Sequence, residues 1–459
     1  MQFIITTLAE YQTRFWLKVG IELKRIGHET HFLSFDDRST ELLRSMGFNC
    51  HSATGRPNDL DVSDEVFTYF INKYGISDLN YWFSHERFAF EIHDHLVLKQ
   101  KLVWSLSKAD ELCRSLKENG RTIMVQELGG FLSVIACFFA ARHHGIDNFF
   151  AEPSFFRGRL FWLRNKFSAP TIKVDWGRSL LSHDVQSYLN DTLNNRRIVV
   201  PLKDRHHYNS PWKKVFNLAN IKRLFQKIID KYLYQKNQEF NYLYFHVKSH
   251  IKMLWNIAVL SKRYTPLEMC DSYIYFPLHV PGDVALTLRA PHLLDQLSLV
   301  DYLCRSVPHN YLLAIKEHPA MLGSFDSRRL IRLLKRYDNL RLLNPSSNNF
   351  RVINSASLVV SINSKSGAEA ILLGKRVLVL GDAFYKDSQL VNFVDSLQNL
   401  QKALTIGLSD EQTTIDREKI DTYFHNVWLN SFRGELYVTD INNIRIFTSG
   451  LLQSIEKID

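Results

Sequence analysis

Short apolar runs alternate with helix-period segments along most of this chain, and that alternation restricts the fold more than any other feature. In the first half, residues 3–7, 31–35, 122–125 and 148–151 read as strands. A helix at 15–26 carries Trp16, Val19, Leu23 and Ile26 at three-to-four spacing and stops at Gly27. A second, at 131–143, stops at Gly145. The second half repeats the pattern, with strands at 272–276, 311–315, 340–343, 358–362 and 376–380 and helices at 293–306, 326–337 and 368–373. Strand–helix–strand order requires parallel sheets with right-handed crossovers. A length of 459 residues exceeds one ordinary core, so two α/β domains are expected.

The alternation breaks once. Residues 201–263 hold 13 Lys/Arg against 3 Asp/Glu, which accounts for the whole net charge of +10. This stretch is dense in aromatics, among them Trp212, Phe216, Tyr232, Tyr234, Tyr242, Tyr244 and Trp255. It reads as a helical arm. Four segments follow: an N-terminal Rossmann-like domain at 1–200, the basic arm at 201–265, a second Rossmann-like domain at 266–435, and a C-terminal helix at 436–459 that packs back toward the first domain. The arm is either a solvated face or a surface for anionic lipid, Lys outermost and Trp/Tyr at the interface. No nucleic-acid motif accompanies it, so no nucleic-acid partner is expected.

Five widely spaced cysteines without a CxxC pair argue against a disulfide framework or structural zinc, and for a reducing cytoplasm. The first residues read as a strand, not a signal peptide. The longest apolar run, 131–141, is well short of the ~20 residues of a membrane span.

Ligands of parallel sheets bind beyond the carboxyl ends of the strands. In the second domain those ends carry Lys316, Glu317, His318 and Pro319, and then Asn363, Ser364, Lys365, Ser366 and Gly367. The latter loop opens a helix, whose free N–H groups and dipole favour a phosphate. There Ser364 and Ser366 offer hydroxyls, Gly367 permits close approach, and Glu369 can accept from ribose hydroxyls. Ser366 and Glu369 also fit a simple capping box. His318 projects at the sheet edge toward a phosphate or leaving group, with Lys316 adding positive charge.

The first domain supplies carboxylates at its strand ends. Glu127 and Glu152 are candidate bases or nucleophiles for glycosyl transfer, and Glu10 a candidate for acceptor contact. Arg157 and Arg159 flank Gly158 and could grip a sugar carboxylate. Asp36-Asp37 and the histidine pairs 93/95, 143/144 and 206/207 lack the ligand support of a metal site and read as surface residues. Two sheets with loaded carboxyl edges suggest a cleft for a nucleotide-activated sugar and a glycan or lipid-linked acceptor. A nucleotide-sugar epimerase, or a non-catalytic assembly or export factor, would fit the same pattern.

The runs YFPLH (275–279), DQ (295–296), KEHP (316–319) and SKSGAEAILLGK (364–375) resemble the bacterial capsule-polysaccharide biosynthesis family, which includes the β-Kdo transferases of capsule and lipopolysaccharide assembly. The His-Pro and serine pair is also similar to bacterial sialyltransferases. The resemblance implies a GT-B fold, a CMP-activated sugar such as Kdo held by the second domain, and no metal or other cofactor; the basic arm, if it lies on lipid, puts the protein at the inner face of the cytoplasmic membrane. Asn363 and Lys365 depart from the usual Ser/Thr-rich loop, and the acidic-acidic-glycine motif of the sialyltransferases is not found.

Overall fold

The computed structural model describes residues 1–55, 60–117, 120–177, 183–195, 227–240, 242–409 and 415–457. The N-terminal sheet is built from β1 (Gln2–Thr7), β2 (Glu29–Ser34), β3 (Asn49–Ser52), β4 (Thr122–Glu127), β5 (Asp147–Pro153) and β6 (Arg159–Arg164). The C-terminal sheet contains β7 (Tyr273–Pro277), β8 (Leu312–Lys316), β9 (Leu340–Leu342), β10 (Leu358–Ser361), β11 (Val377–Val379) and β12 (Asn392–Phe393). A last strand, β13 (Phe432–Arg433), returns to the first sheet.

Spatial order in the second sheet is β9-β8-β7-β10-β11-β12, every pair parallel. This is the doubly wound order, reversing direction between β7 and β10. The first sheet has the same core, β3-β2-β1-β4-β5 in parallel, extended by β6 and β13 as antiparallel edges. The central strands are apolar and buried along their length, as Phe3, Ile4 and Ile5 in β1 and Leu358, Val359 and Val360 in β10 show. Burial on both faces explains why they read as continuous apolar runs rather than alternating ones.

The chain crosses back earlier than the expected boundary at 436. The helix Arg417–Leu429 already lies against the first domain, with Phe155 on Phe424 at 4.9 Å and Phe156 on Trp428 at 5.1 Å between ring centroids. Then β13 pairs with β6, and the final helix Ile441–Glu456 packs on the helix Glu10–Arg25, where Phe447 meets Phe15 at 5.0 Å and Trp16 at 5.6 Å. Within the described part of the arm, the helix Leu243–Leu260 spans both domains. Lys248 reaches Glu91 of the first at 2.9 Å, and Asn256 donates to the Gly323 carbonyl of the second at 2.8 Å. Residues 201–226 of the arm, including His206 and His207, lie outside the described residues.

Gly434 makes the return possible. Its φ is +131°, and a Cβ there would stand 2.8 Å from the Phe447 backbone of the final helix. Gly434→Ala is therefore expected to destabilise the protein by about 1–3 kcal/mol, the cost of one strained backbone position plus displacement of that helix. A thermal or urea unfolding midpoint unchanged by the substitution would contradict this packing.

Candidate active site

The carboxyl ends of the two sheets face one cleft of about 620 Å³, a size usual for small-molecule sites. One wall carries Glu127–Gly130 after β4 and Glu152 at the end of β5. The other carries His279 after β7, Lys316–Pro319 after β8, Asn363–Ser366 after β10 and Asp382–Phe384 after β11. Of the residues expected from the sequence, Glu127, Glu152, Lys316, His318, Pro319, Ser364, Lys365, Ser366 and Glu369 line this cleft together.

The serine loop differs in detail from its expectation. The helix starts at Lys365, three residues before 368, because Ser364 is its cap: the Ser364 hydroxyl accepts from the Ser366 N–H at 3.1 Å. Ser366 and Glu369 thus lie inside the helix, and the capping box between them does not form. Ser366 Oγ accepts from Asn349 Nδ2 at 3.2 Å, and Glu369 accepts from the same amide at 2.7 Å. Gly367 has a packing role. A Cβ there would fall 2.2 Å from the Tyr385 hydroxyl, which donates to the Ser364 carbonyl at 2.6 Å and locks the loop.

Electrostatics at the base of the cleft come from Lys316 and Glu369. Burial lowers the Lys316 ammonium to about 8, with Glu369 opposing the shift. Burial raises the Glu369 carboxyl to about 7, opposed by the Asn349 hydrogen bond and then by Lys316 and Lys365. Lys316 donates to the Ser347 carbonyl at 3.0 Å, and Lys365 donates across the cleft to the Ser154 carbonyl at 2.9 Å. The ammonium of Lys316 and the helix N-terminus beside it suit an anion.

The first-domain carboxylates have unequal freedom. Glu152 is held by Arg289 through two bonds of 2.8 Å, and Arg289 also donates to the Phe167 carbonyl at 2.8 Å. Glu127 accepts from Gln12 at 3.2 Å and from the hydroxyl of Tyr437, which arrives from the returning C-terminal segment.

Three expected acceptor-side residues do not reach the cleft. Glu10 pairs with Arg14 at 2.5 Å and stands 4.0 Å from Arg38. Arg159 donates to the Trp428 carbonyl at 2.9 Å and the Ser431 hydroxyl at 2.8 Å, stacks on Trp428, and is lowered to about 10 by burial. It ties β6 to the returning segment. Arg157 sits in the exposed turn before β6, its N–H on the Tyr188 hydroxyl at 3.0 Å. The remaining weak candidates also have structural roles. The Asp37 carboxylate accepts from the Asn237 N–H at 2.6 Å and so docks the arm. His143 and His144 do gain a carboxylate, Asp110, but Lys73 already stands 3.3 Å from it and His144 bonds it at 2.8 Å.

Sequence reasoning missed Arg289, His85, Asn349 and Tyr437. None carries a local signal, since each acquires its partner only from a distant segment. His279 was findable, as it follows a buried strand just as His318 does.

Two doubly wound domains whose strand ends share a ligand-sized cleft define the GT-B arrangement. Residues 183–392 match the model of the family described as capsule polysaccharide biosynthesis protein. Over 147 residues it is 30% identical to protein FixF of Sinorhizobium fredii (strain NBRC 101917 / NGR234), covering 32% of this chain and 35% of that protein. The chain thus matches about a third of that curated relative's length. Among solved structures, Thermosulfurimonas dismutans KpsC, beta Kdo 2,7 transferase, is similar at TM-score 0.36 and 15% identity, over 76% of this chain and 89% of that one. A glycosyltransferase from Rickettsia africae ESF-5 gives 0.33 and 12%, over 100% and 99%. The UDP-GlcNAc 2-epimerase from Methanocaldococcus jannaschii gives 0.27 and 12%, over 94% and 100%. Likeness of this size leaves the chemistry to be read from the cleft.

Burial around the His318 loop makes stability depend on pH. Glu317 is fully buried, accepts from the Gly323 N–H at 3.0 Å and the Tyr264 hydroxyl at 3.1 Å, and is raised to about 7 by burial. A carboxyl raised in the folded state favours folding below its unfolded value and loses that contribution as pH rises through about 7. Lys316, lowered to about 8, acts only in the window above that value. Glu317 should therefore remove up to about 3 kcal/mol of stability between pH 5 and 8, with Glu369, also raised to about 7, acting in the same sense and His279, lowered to about 4, opposing it at the acid end. Glu317→Gln should lessen the pH dependence in denaturation curves at the two pH values by Glu317's share. A slope equally steep in the variant would remove Glu317 as its source.

Proposed function

We propose that the chain is a glycosyltransferase of bacterial surface-polysaccharide assembly, moving a sugar from a nucleotide-activated donor to a glycan or lipid-linked acceptor. One observation carries this reading: the anion-suited loops after β8 and β10 share a cleft with Glu127 of the facing domain. Lys316, the Lys365–Leu372 helix N-terminus and the Ser364/Ser366 hydroxyls bind the donor phosphate, and Glu369 lies within reach of the ribose. Glu127, oriented by Gln12 and Tyr437, takes the proton of the acceptor hydroxyl. The acceptor oxygen then bonds to the anomeric carbon. The bond from that carbon to the phosphate oxygen breaks, its electron pair leaving with the nucleotide, and His318 steadies the charge that develops. Glu152 is engaged by Arg289 and holds the cleft wall, so the base is Glu127. The family resemblance favours a CMP donor and Kdo as its sugar, with protein groups in place of a metal.

A thermal-shift panel with CMP, UDP and GDP tests the donor site. The matching nucleotide at 100 times its dissociation constant should add about 2.7 kcal/mol of stability. His318→Ala and Glu127→Gln should each lower transfer at least ~100-fold with the unfolding midpoint retained. No shift with any of the three nucleotides, or full transfer by both variants, would overturn the assignment.

The arm supports a lipid-linked acceptor. On the helix Leu243–Leu260, Tyr244 is 81% exposed, Ile251 64% and Trp255 63%, along one stripe with Val247. Lys248 and Lys252 flank that stripe, and the surplus of positive charge lies in the same segment. An apolar stripe rimmed by lysines suits an anionic lipid surface, here the inner face of the cytoplasmic membrane. Among the described residues no helix is long and apolar enough to cross a membrane. The protein should cosediment with vesicles containing phosphatidylglycerol and not with pure phosphatidylcholine. Ile251→Glu with Trp255→Glu should weaken that binding at least ~10-fold. Equal binding by the variant, or to the neutral vesicles, would exclude this surface.

A further inference from the structure

Three polar groups lining the cleft end in atoms with no partner among the described residues: His85 Nε2, His279 Nε2 and Asn363 Oδ1. Both histidines are more than nine-tenths buried. An unpaired buried polar atom is costly, and one such cost is ordinarily removed by a bound partner. Here three fall in a single cleft, two of them anchored to one turn. His85, from the first domain, reaches Thr287 Oγ1 through Nδ1 at 3.0 Å, and Asn363 Nδ2 donates to the Ala285 carbonyl.

The bonding pattern fixes what these atoms can do. The Thr287 hydroxyl has one proton and donates it to the Asp283 carbonyl at 3.2 Å. With that bond made, Thr287 accepts from His85, which puts the ring proton of His85 on Nδ1. Burial lowers the His85 imidazolium, with Glu86 and Asp283 opposing the shift and Lys101 adding to it. The neutral ring then leaves Nε2 as a bare acceptor. Asn363, its amide N–H committed to Ala285, likewise offers its oxygen as an acceptor. His279 cannot swing away, because Gln296 clamps its backbone on both sides: His279 N–H donates to Gln296 Oε1 at 2.7 Å, and Gln296 Nε2 donates to the His279 carbonyl at 3.2 Å. Burial also drives the His279 ring down to about 4, so it is uncharged. Asp283 stands beside these groups as a further acceptor-rich side chain in the lining.

We infer that His85, His279 and Asn363 form the subsite for the transferred sugar and read its hydroxyl groups as hydrogen-bond donors. This rests on the cleft being a nucleotide-sugar site and specifies which part of the ligand lies here. An acceptor-rich pocket takes a polyhydroxyl face and disfavours a carboxylate turned toward the Asp283–Thr287 turn. Because His85 belongs to one domain and Asn363 to the other, the subsite is complete only with the two walls together.

Titration calorimetry of UDP against UDP-glucose, GDP against GDP-mannose and CMP against CMP-N-acetylneuraminate separates the sugar's contribution from the nucleotide's. The glycosylated form should bind more tightly than the bare nucleotide of its own pair. His85→Asn keeps a group at the Nδ1 position and removes Nε2. It should lower affinity for the nucleotide sugar at least ~10-fold and leave the bare nucleotide's affinity unchanged, and Asn363→Ala should do the same. His85→Gln, which restores an acceptor near Nε2, should recover part of the loss. If wild-type protein binds none of the nucleotides, the reading of the cleft fails and the subsite with it. If nucleotides bind but their sugars add nothing, or if both variants weaken the bare nucleotide and the nucleotide sugar equally, the subsite alone is overturned.

Discussion

The geometry of the cleft depends on one ion pair. Arg289 of the second domain is 6% exposed at its side chain and meets Glu152 of the first through two bonds of 2.8 Å. A guanidinium buried this deeply is tolerable only when paired, and the pair forms only with the two sheets rim to rim. Lys365 on Ser154, the Ala169 N–H on Asp382 at 2.6 Å, and Tyr81 on the Leu288 carbonyl at 2.7 Å set the same closure at other points of the rim. The spacing between phosphate-suited loops and carboxylate wall is therefore a property of these cross-domain bonds, not of either sheet alone.

Two further devices restrain the domains. The C-terminal segment returns through Arg417–Leu429, β13 and Ile441–Glu456, and delivers Tyr437 to Glu127 on the way. The arm is moored on the first domain by Arg38 on Asp230 at 2.6 Å, and by the cluster in which the buried Lys101 ammonium meets Glu86 at 2.7 Å and Glu239 at 2.9 Å. Opposite carboxylates keep Lys101 charged against burial, so its titration is pushed well above the ordinary lysine range. Residues far apart in the chain thus orient one carboxylate and keep one cleft wall in place.

The cleft is chemically divided. Around Lys316 and the helix N-terminus it is suited to negative charge, whereas around His85, His279 and Asn363 it is neutral and rich in acceptors. The same burial that suppresses the histidine charges draws the Lys316 and Glu369 titrations toward neutrality. Sequence distance conceals this division, since the neutral end draws on residues 85, 279 and 363.

By itself the sequence determined the elements and their order. Short continuous apolar runs, period-three-to-four helices and glycine stops are local, so the strands around Phe3, Val125, Phe276, Ile315 and Val360 could be placed, and with them the parallel sheets and the loops at their ends. The antiparallel edge β6–β13 was not legible, because a two-residue strand has no periodicity and pairs with a segment some 270 residues away. The site divides in the same way. Lys316, His318, Ser364 and Ser366 were marked by their place after strands, whereas only the tertiary structure decided that Arg159 and Glu10 face elsewhere, that Arg289 occupies Glu152, and that Gly367 accommodates Tyr385. A side chain's chemical type is written in the chain, but its partner is chosen by packing, since desolvation and pairing depend on whatever neighbour the fold brings within a few ångströms.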